Sequence, residues 1–324
     1  MMTKAERLQA AIRGEPVDRP PVALWRHFPG DDQCPQDLAT ETVAFQRRYD
    51  FDFVKVTPAS SFCLQDWGAE DVWMGNMEGT REYTVYPVRV PEDWRNLRLL
   101  EPTQGALGAQ LEVLRLIARD LGETPFIQTI FSPLAQAKNL VGEENLLVHL
   151  RRWPDALHAG LETITATTIR FVEAARATEI AGIFYAVQHA QYRLLSEEEY
   201  RAFGRPYDLR ILEAALGLWL NVLHLHGNDV MVDLLADYPV QVINWHYREM
   251  WPSLAEAQER FGGAVCGGLQ QWEVMVRGTP EAVRVQAADA ITQTGGRRFI
   301  LGTGCDTPIV APACNIRAAR EAVG

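Results

Sequence analysis

The sequence predicts an α/β protein, a single-domain (β/α)8 TIM barrel spanning residues 1–324, and three observations predict it. Eight short apolar or β-branched runs recur along the 324 residues, most of them separated by segments of helical periodicity. Strands buried on both faces read as nearly continuous apolar runs, and their alternation with helices calls for a parallel sheet. Eight such units favour closure into a barrel, and no G-x-G-x-x-G opens a helix as in a dinucleotide-binding open sheet. Finally, His189, His224, His226 and His246, four of the seven histidines, fall at or just past the end of such a run. In a parallel barrel those ends share one rim, where an active site is expected.

The elements follow in order. The N-terminus, MMTKAERLQAAIRGEP, has the pattern of a charged amphipathic helix and lacks an apolar signal core. The strand-like runs are VALW (22–25), FVKV (53–56), FIQTIF (126–131), GIFYAV (182–187), LNVLHL (220–225), VINW (242–245), AVCGGL (264–269) and FILGTG (299–304). Helical patterns cover 35–50, 106–121, 145–179, 196–218, 229–237, 253–261, 279–294 and 313–323. Ser196 followed by Glu199 is a capping box. Thr279, Pro280 and Glu281 open the helix at 279 with a cap, an N1 proline and an early acid, and Gly295-Gly296 ends it. Residues 57–104 are the least regular. Within them VWMGNMEGTREYTVYPVRVP alternates as a β-hairpin does, an insertion after the second strand expected to lie as a flap over the barrel mouth.

Composition narrows the function. With 47% apolar residues the chain can bury a large core. A net charge of −11 disfavours nucleic acid and anionic membranes as partners, so an anionic ligand needs local cations. Five scattered cysteines do not make a disulfide framework, and their odd number points to a reducing compartment. No segment reaches the roughly 20 apolar residues of a membrane span. A cytoplasmic protein is the expectation.

The chemistry-bearing residues cluster at strand ends. Side chains two apart on a strand share a face, so His224 and His226 offer two imidazoles together. Gly227 then allows a sharp turn. A zinc-type ion takes three or four N, S or O ligands, and Cys305, past the last run, supplies a third from across the rim. His246 is a further candidate ligand, and His246 and His189 are both candidate proton carriers, because imidazole titrates near neutrality. A lone histidine at a strand end more often bonds backbone, and Cys305 alone could be a small apolar core residue. Arg26 and His27 follow the first strand, where an arginine clamps a carboxylate or phosphate. Trp245 belongs to a set of tryptophans that pack the core or line a mouth suited to a flat ligand. Asp306 stands beside Cys305 to orient ligands or move protons. Lys55, inside a strand, must be buried or paired.

AAIRGEPVDRPPVALWR (10–26) resembles the N-terminal signature of the uroporphyrinogen decarboxylase (URO-D) superfamily. The resemblance spans nearly the whole chain. FDFVKVTP, TPFIQTIFSPLAQAKNLVG, VCGGLQQWEVMVRGTPEAV and FILGTGCDTPIVAPACNIRAAREAV are similar to its second, third, seventh and final strand regions. It implies a (β/α)8 barrel and a homodimer. True decarboxylases hold a tetrapyrrole with two arginines after strand one and an aspartate after strand two. Here RHFPGDD keeps one arginine, Arg26, and FVKVTPASS has no aspartate at the matching place. The cobalamin-linked methyltransferases of the superfamily bind zinc through His-x-Cys after strand five and a cysteine after strand eight. His224 matches the histidine, His226 replaces the first cysteine, and Cys305 in GTGCDTP matches the second. An imidazole in place of a thiolate leaves a more Lewis-acidic metal. The resemblance implies zinc-dependent methyl transfer or related metal-assisted chemistry on a small molecule, with a corrinoid as co-substrate, free or on a corrinoid protein. The alternatives are a metal-free, cofactor-free decarboxylase of a tetrapyrrole or smaller carboxylate, and a non-catalytic corrinoid or tetrapyrrole binder.

Overall fold

The computed structural model describes residues 2–324. Seven strands form one parallel sheet in chain order: β1 (Val54–Val56), β4 (Phe126–Phe131), β5 (Gly182–Val187), β6 (Val222–Leu225), β7 (Val242–Trp245), β8 (Ala264–Leu269) and β9 (Phe299–Thr303). Between β1 and β4 runs the expected hairpin, β2 (Glu70–Val72) antiparallel to β3 (Glu82–Val85).

The run 22–25 departs from expectation. It forms no ladder of its own, only a parallel bridge between Val22 and Leu301 of β9. Pro20 and Pro21 have no N–H to donate, which removes half of the ladder bonds on approach. The segment is nonetheless tied on both sides. Ala23 N–H donates to Leu301 O at 2.9 Å, Leu301 N–H to Pro21 O at 2.8 Å, and Asp52 N–H to Val22 O at 2.8 Å.

The buried strand residues divide by parity into two cores. Phe184, Ala186, Val222, Val242, Cys266 and Ile300 meet on the inner side of the curled sheet, with Trp25 and Leu8 among them. Leu8 comes from the helix Lys4–Arg13, which carries a Thr3/Glu6 capping box. Ile183, Tyr185, Leu223, Ile243, Trp245 and Leu301 pack outward into the larger core beneath the helices.

Three helical expectations are revised. The span 145–179 is two helices, Glu143–Arg152 and Pro154–Arg176, because Pro154 cannot continue the hydrogen-bond ladder and instead starts the second. The span 196–218 breaks at Gly204 into Glu197–Phe203 and Arg205–Ala214, and 229–237 shrinks to Val232–Leu235. After β4, Ser132 caps a helix, Pro133–Val141, in a stretch outside the expected helical patterns. All five cysteines are free. Among the described residues no helix is long and apolar enough to cross a membrane.

One buried carboxylate joins the N-terminal helix to the bridging segment. Asp52 accepts from Arg7 Nη1 at 2.7 Å, Arg19 Nη1 at 2.8 Å and the Val22 N–H at 2.8 Å. Its side chain is fully buried, and Arg7 is nearly so. Removing one member of such a set strands the others without compensation. Asp52→Ala should therefore lower the unfolding free energy by about 3–5 kcal/mol, read as a fall in the urea midpoint.

Candidate functional site: a histidine–cysteine cluster at the strand ends

Parity carries His224 inward from Val222, and His226 follows past the end of β6. Gly227, at φ 98°, makes the turn. A side chain there would meet the Gln191 amide at 2.4 Å, so glycine also permits that contact. Asn244 and His246 hold the same inward parity on and beyond β7. Cys305 arrives differently, on a bend after β9. Gly304 packs so closely on the end of β7 that a Cβ would stand 2.8 Å from His246 Cα. The result is a cluster in which one donor atom each from His224, His226, His246 and Cys305 lies within 4.8 Å of the other three. Cys305 Sγ is 3.5 Å from His224 Nε2 and 3.7 Å from His226 Nδ1.

Asn244 determines how His224 presents itself. Its amide nitrogen donates to Cys266 O at 2.9 Å and Thr303 O at 3.0 Å. Backbone carbonyls only accept, so Oδ1 must be the atom turned to His224 Nδ1, at 2.7 Å. His224 therefore carries its proton on Nδ1 and directs the Nε2 lone pair at the Cys305 sulfur. Behind the ring, Phe184 stacks at a centroid distance of 5.2 Å.

Burial holds the imidazoles neutral. Desolvation first, then the neighbouring rings of His226 and His246, keep His224 well below its usual range. His226 is lowered to about 4, chiefly by burial and then by His246 and Lys138. Burial also lowers His246, against the pull of Glu249. The Cys305 thiol is pushed well up by burial and next by Asp306. Neutral rings with free lone pairs are what a metal ion binds, whereas the thiol must lose its proton on binding.

The cluster borders a cavity of about 330 Å³ that Asp306, His27, Lys138, Glu78, Tyr83 and Gln271 also line. Asp306 accepts from Lys55 Nζ at 2.7 Å. It lies 3.7 Å from His27 Nε2 and 3.7 Å from Cys305 Sγ. Burial opposes its ionisation, but Lys55 and then His27 override this and keep the carboxyl below its usual range. Burial depresses His27, and its Nδ1 has no partner among the described residues. The hairpin forms one wall, as the flap expectation required. It is pinned by Arg81 Nε to Asp71 at 2.8 Å and by the Ile309 N–H to Met77 O at 2.9 Å.

Three expected residues lie elsewhere. Arg26 turns away from the cavity, its guanidinium 5.3 Å from the Phe28 ring centre and bonded to Ile309 O at 3.3 Å. Among the described residues no carboxylate pairs with it; Asp32 lies 3.5 Å from Arg81. Trp245 is fully buried in the outer core, its Nε1 donating to Pro252 O at 3.0 Å, because parity opposite to Asn244 points it away from the mouth. His189 is buried and absent from the lining, and its Nδ1 has no partner among the described residues. Sequence reasoning passed over Asn244 as an orienting group, although the two-residue period of a strand puts Asn244 and His246 on one face. It also missed Lys138 and Tyr83, which the unexpected helix and the hairpin carry inward.

A family profile described as uroporphyrinogen decarboxylase (URO-D) matches residues 3–324. The methylcobamide:CoM methyltransferase of Methanosarcina acetivorans is 22% identical over 97% of this chain and 96% of its own. The uroporphyrinogen decarboxylase of Xanthomonas campestris pv. campestris is 27% identical over 94% of each. Among solved structures, a methyltransferase from Methanosarcina mazei superposes with a TM-score of 0.86 at 20% identity, covering 99% of both chains. A B12-independent methionine synthase from Shewanella sp. W3-18-1 superposes at 0.59 with 12% identity, over 97% of this chain and 94% of that one. These two structures share the fold.

The buried imidazoles make stability depend on pH in a set direction. Burial first, then Lys138 and His226, lower His189 to about 3. An unfolded histidine takes up a proton near pH 6.5. Below that, protonation favours the unfolded chain, so this contribution is present at neutral pH and lost as the pH falls toward 3. The slope is at most about 1.4 kcal/mol per pH unit for one group. Denaturant midpoints measured between pH 6.5 and 5 should therefore fall less steeply in His189→Gln than in the native protein.

Proposed function

Because the chain belongs to the uroporphyrinogen decarboxylase (URO-D) family, we propose that it is a single-domain (β/α)8 barrel enzyme of that family's methyl-transferring kind. Its reaction is methyl-group transfer, or closely related metal-assisted chemistry, on a small molecule. His224, His226 and Cys305 hold a zinc-type ion, and His246 stands within reach as a fourth ligand. A corrinoid is the methyl donor we assign, by analogy with the methylcobamide:CoM methyltransferase relatives.

The observation that carries this reading is the spacing of the donors. Tetrahedral zinc, with bonds of about 2.3 Å to sulfur and about 2.0–2.1 Å to nitrogen, sets S and N about 3.6 Å apart. Cys305 Sγ stands 3.5 and 3.7 Å from the two histidine nitrogens. The second support is the Asn244 hydrogen bond, the kind of outer partner that orients a ligating histidine. An ion bound there would supply Lewis acidity to a substrate atom. The chain's own residues do the rest. Asn244 aims the His224 lone pair. Lys55 keeps Asp306 ionised beside Cys305, where the carboxylate takes or returns a proton. His27, facing Asp306 at 3.7 Å, continues that path. The hairpin wall screens the cluster from water.

Decarboxylation of a tetrapyrrole has less support. Arg26 packs on aromatic rings away from the cavity, and the lining arginine, Arg81, is already paired with Asp71.

Metal analysis of protein purified without chelator tests the reading. We expect about one zinc per chain in the native protein and little in His224→Ala and Cys305→Ala; a native protein without metal overturns it. Two further variants probe how the ligands are held. Asn244→Ala should weaken zinc affinity by roughly 10–100-fold, seen by competition with a chromophoric chelator. Gly304→Ala, which pushes the Cys305 bend off β7, should weaken it comparably, whereas the exposed Gly295→Ala should not.

A further inference from the structure

The cavity has one cation without a carboxylate partner among the described residues. Lys55 is neutralised by Asp306 at 2.7 Å and Arg81 by Asp71 at 2.8 Å. Lys138, in the last turn of the helix Pro133–Val141, also lines the cavity, yet its Nζ makes only a 3.3 Å hydrogen bond to Gln188 Oε1. A largely buried ammonium with no counter-charge is costly to maintain, and an arriving anion relieves that cost.

The surroundings suit an oxyanion. Gln188, which also lines the cavity, turns its carbonyl oxygen to Lys138, and the amide end of the same side chain is a donor. Asn139, the next residue, lines the cavity and donates through Nδ2 to the Tyr83 hydroxyl at 3.0 Å, and Ser60 Oγ lies 2.9 Å from that hydroxyl. The charges are also segregated. Glu78, the unpaired acid of the lining, accepts from Trp272 Nε1 at 3.1 Å, and its field falls on His246 and Cys305. The field of Lys138 falls on His226 and His189. The acid that reaches Lys138 is Glu143, at the start of the following helix and beyond ion-pairing distance.

We propose that Lys138 anchors an anionic group of the substrate, with Gln188, Asn139 and Tyr83 as neutral partners around it. The substrate is then a small molecule with an oxyanion (carboxylate, sulfonate or phosphoryl) at one end and its reacting atom at the histidine–cysteine end. This rests on the reading that the cavity is the substrate site, but not on the metal.

Calorimetric titration with 3-mercaptopropionate and with 1-thioglycerol, a neutral thiol of similar size, tests it. The native protein should bind the acid roughly tenfold more tightly, as a charge-assisted contact gives. Lys138→Met should reduce the preference to within about twofold, and Lys138→Arg should retain most of it. Thermal melts establish that both variants are folded. No preference in the native protein, or a preference that survives in folded Lys138→Met, overturns the proposal. Zinc content measured on the same samples separates the two readings. Metal present without a preference for the acid fails the anion site alone. A Lys138-dependent preference in metal-free native protein fails the metal reading alone.

Discussion

The Asn244 side chain is the constraint on which the rest of the site depends. One amide group bonds to β8 through Cys266 O, to β9 through Thr303 O and to β6 through His224 Nδ1. It lies fully buried at the inner face of the sheet, where an unpaired amide would be expensive, so its orientation is compelled by its partners. From that orientation follow the tautomer of His224, the direction of its lone pair and the approach of Cys305. A histidine free to rotate in the same place would offer no fixed donor.

Around this point the architecture separates scaffold from chemistry. Most strand residues facing in and out are committed to two apolar cores, while the reactive groups stand at the strand ends, His224 and Lys55 on β6 and β1 and the others just beyond. The segments beyond the strand ends are held by close backbone contacts that tolerate little side-chain volume. Gly304 sits against His246, and a Cβ on Gly79 would fall 2.5 Å from His27 Cβ. The hairpin and the bend after β9 are therefore fixed walls of the cavity, and the cluster inherits that rigidity.

The electrostatics follow the same division. The chain is acidic overall, with a net charge of −11, yet its cavity is not uniformly negative. Asp306 is matched by Lys55, and Lys138 and Glu78 act on different members of the cluster. A small anionic substrate entering such a cavity meets a local cation despite the repulsion of the whole molecule.

The sequence by itself determined whatever depends on near neighbours along the chain. Runs such as FIQTIF, GIFYAV, VINW and AVCGGL are strands with the expected bounds, and the His224/His226 face and the hairpin follow from period-two alternation. The helix breaks at Pro154 and Gly204 were also local, but the longer apolar periodicity obscured them. Only the tertiary structure decided where distant groups meet. Cys305 lies past the end of β9, where strand parity no longer applies, and a bend delivers its sulfur to His224, 81 positions earlier. Lys55 and Asp306, 251 positions apart, become partners because β9 and β1 are brought together through the segment around Val22. Arg26 and Trp245 were assigned to the mouth by their place in the chain, and packing turned both away. Alternation is set residue by residue by the backbone. The approach of two loops is set by the whole packed sheet and its helices, which no stretch of sequence contains.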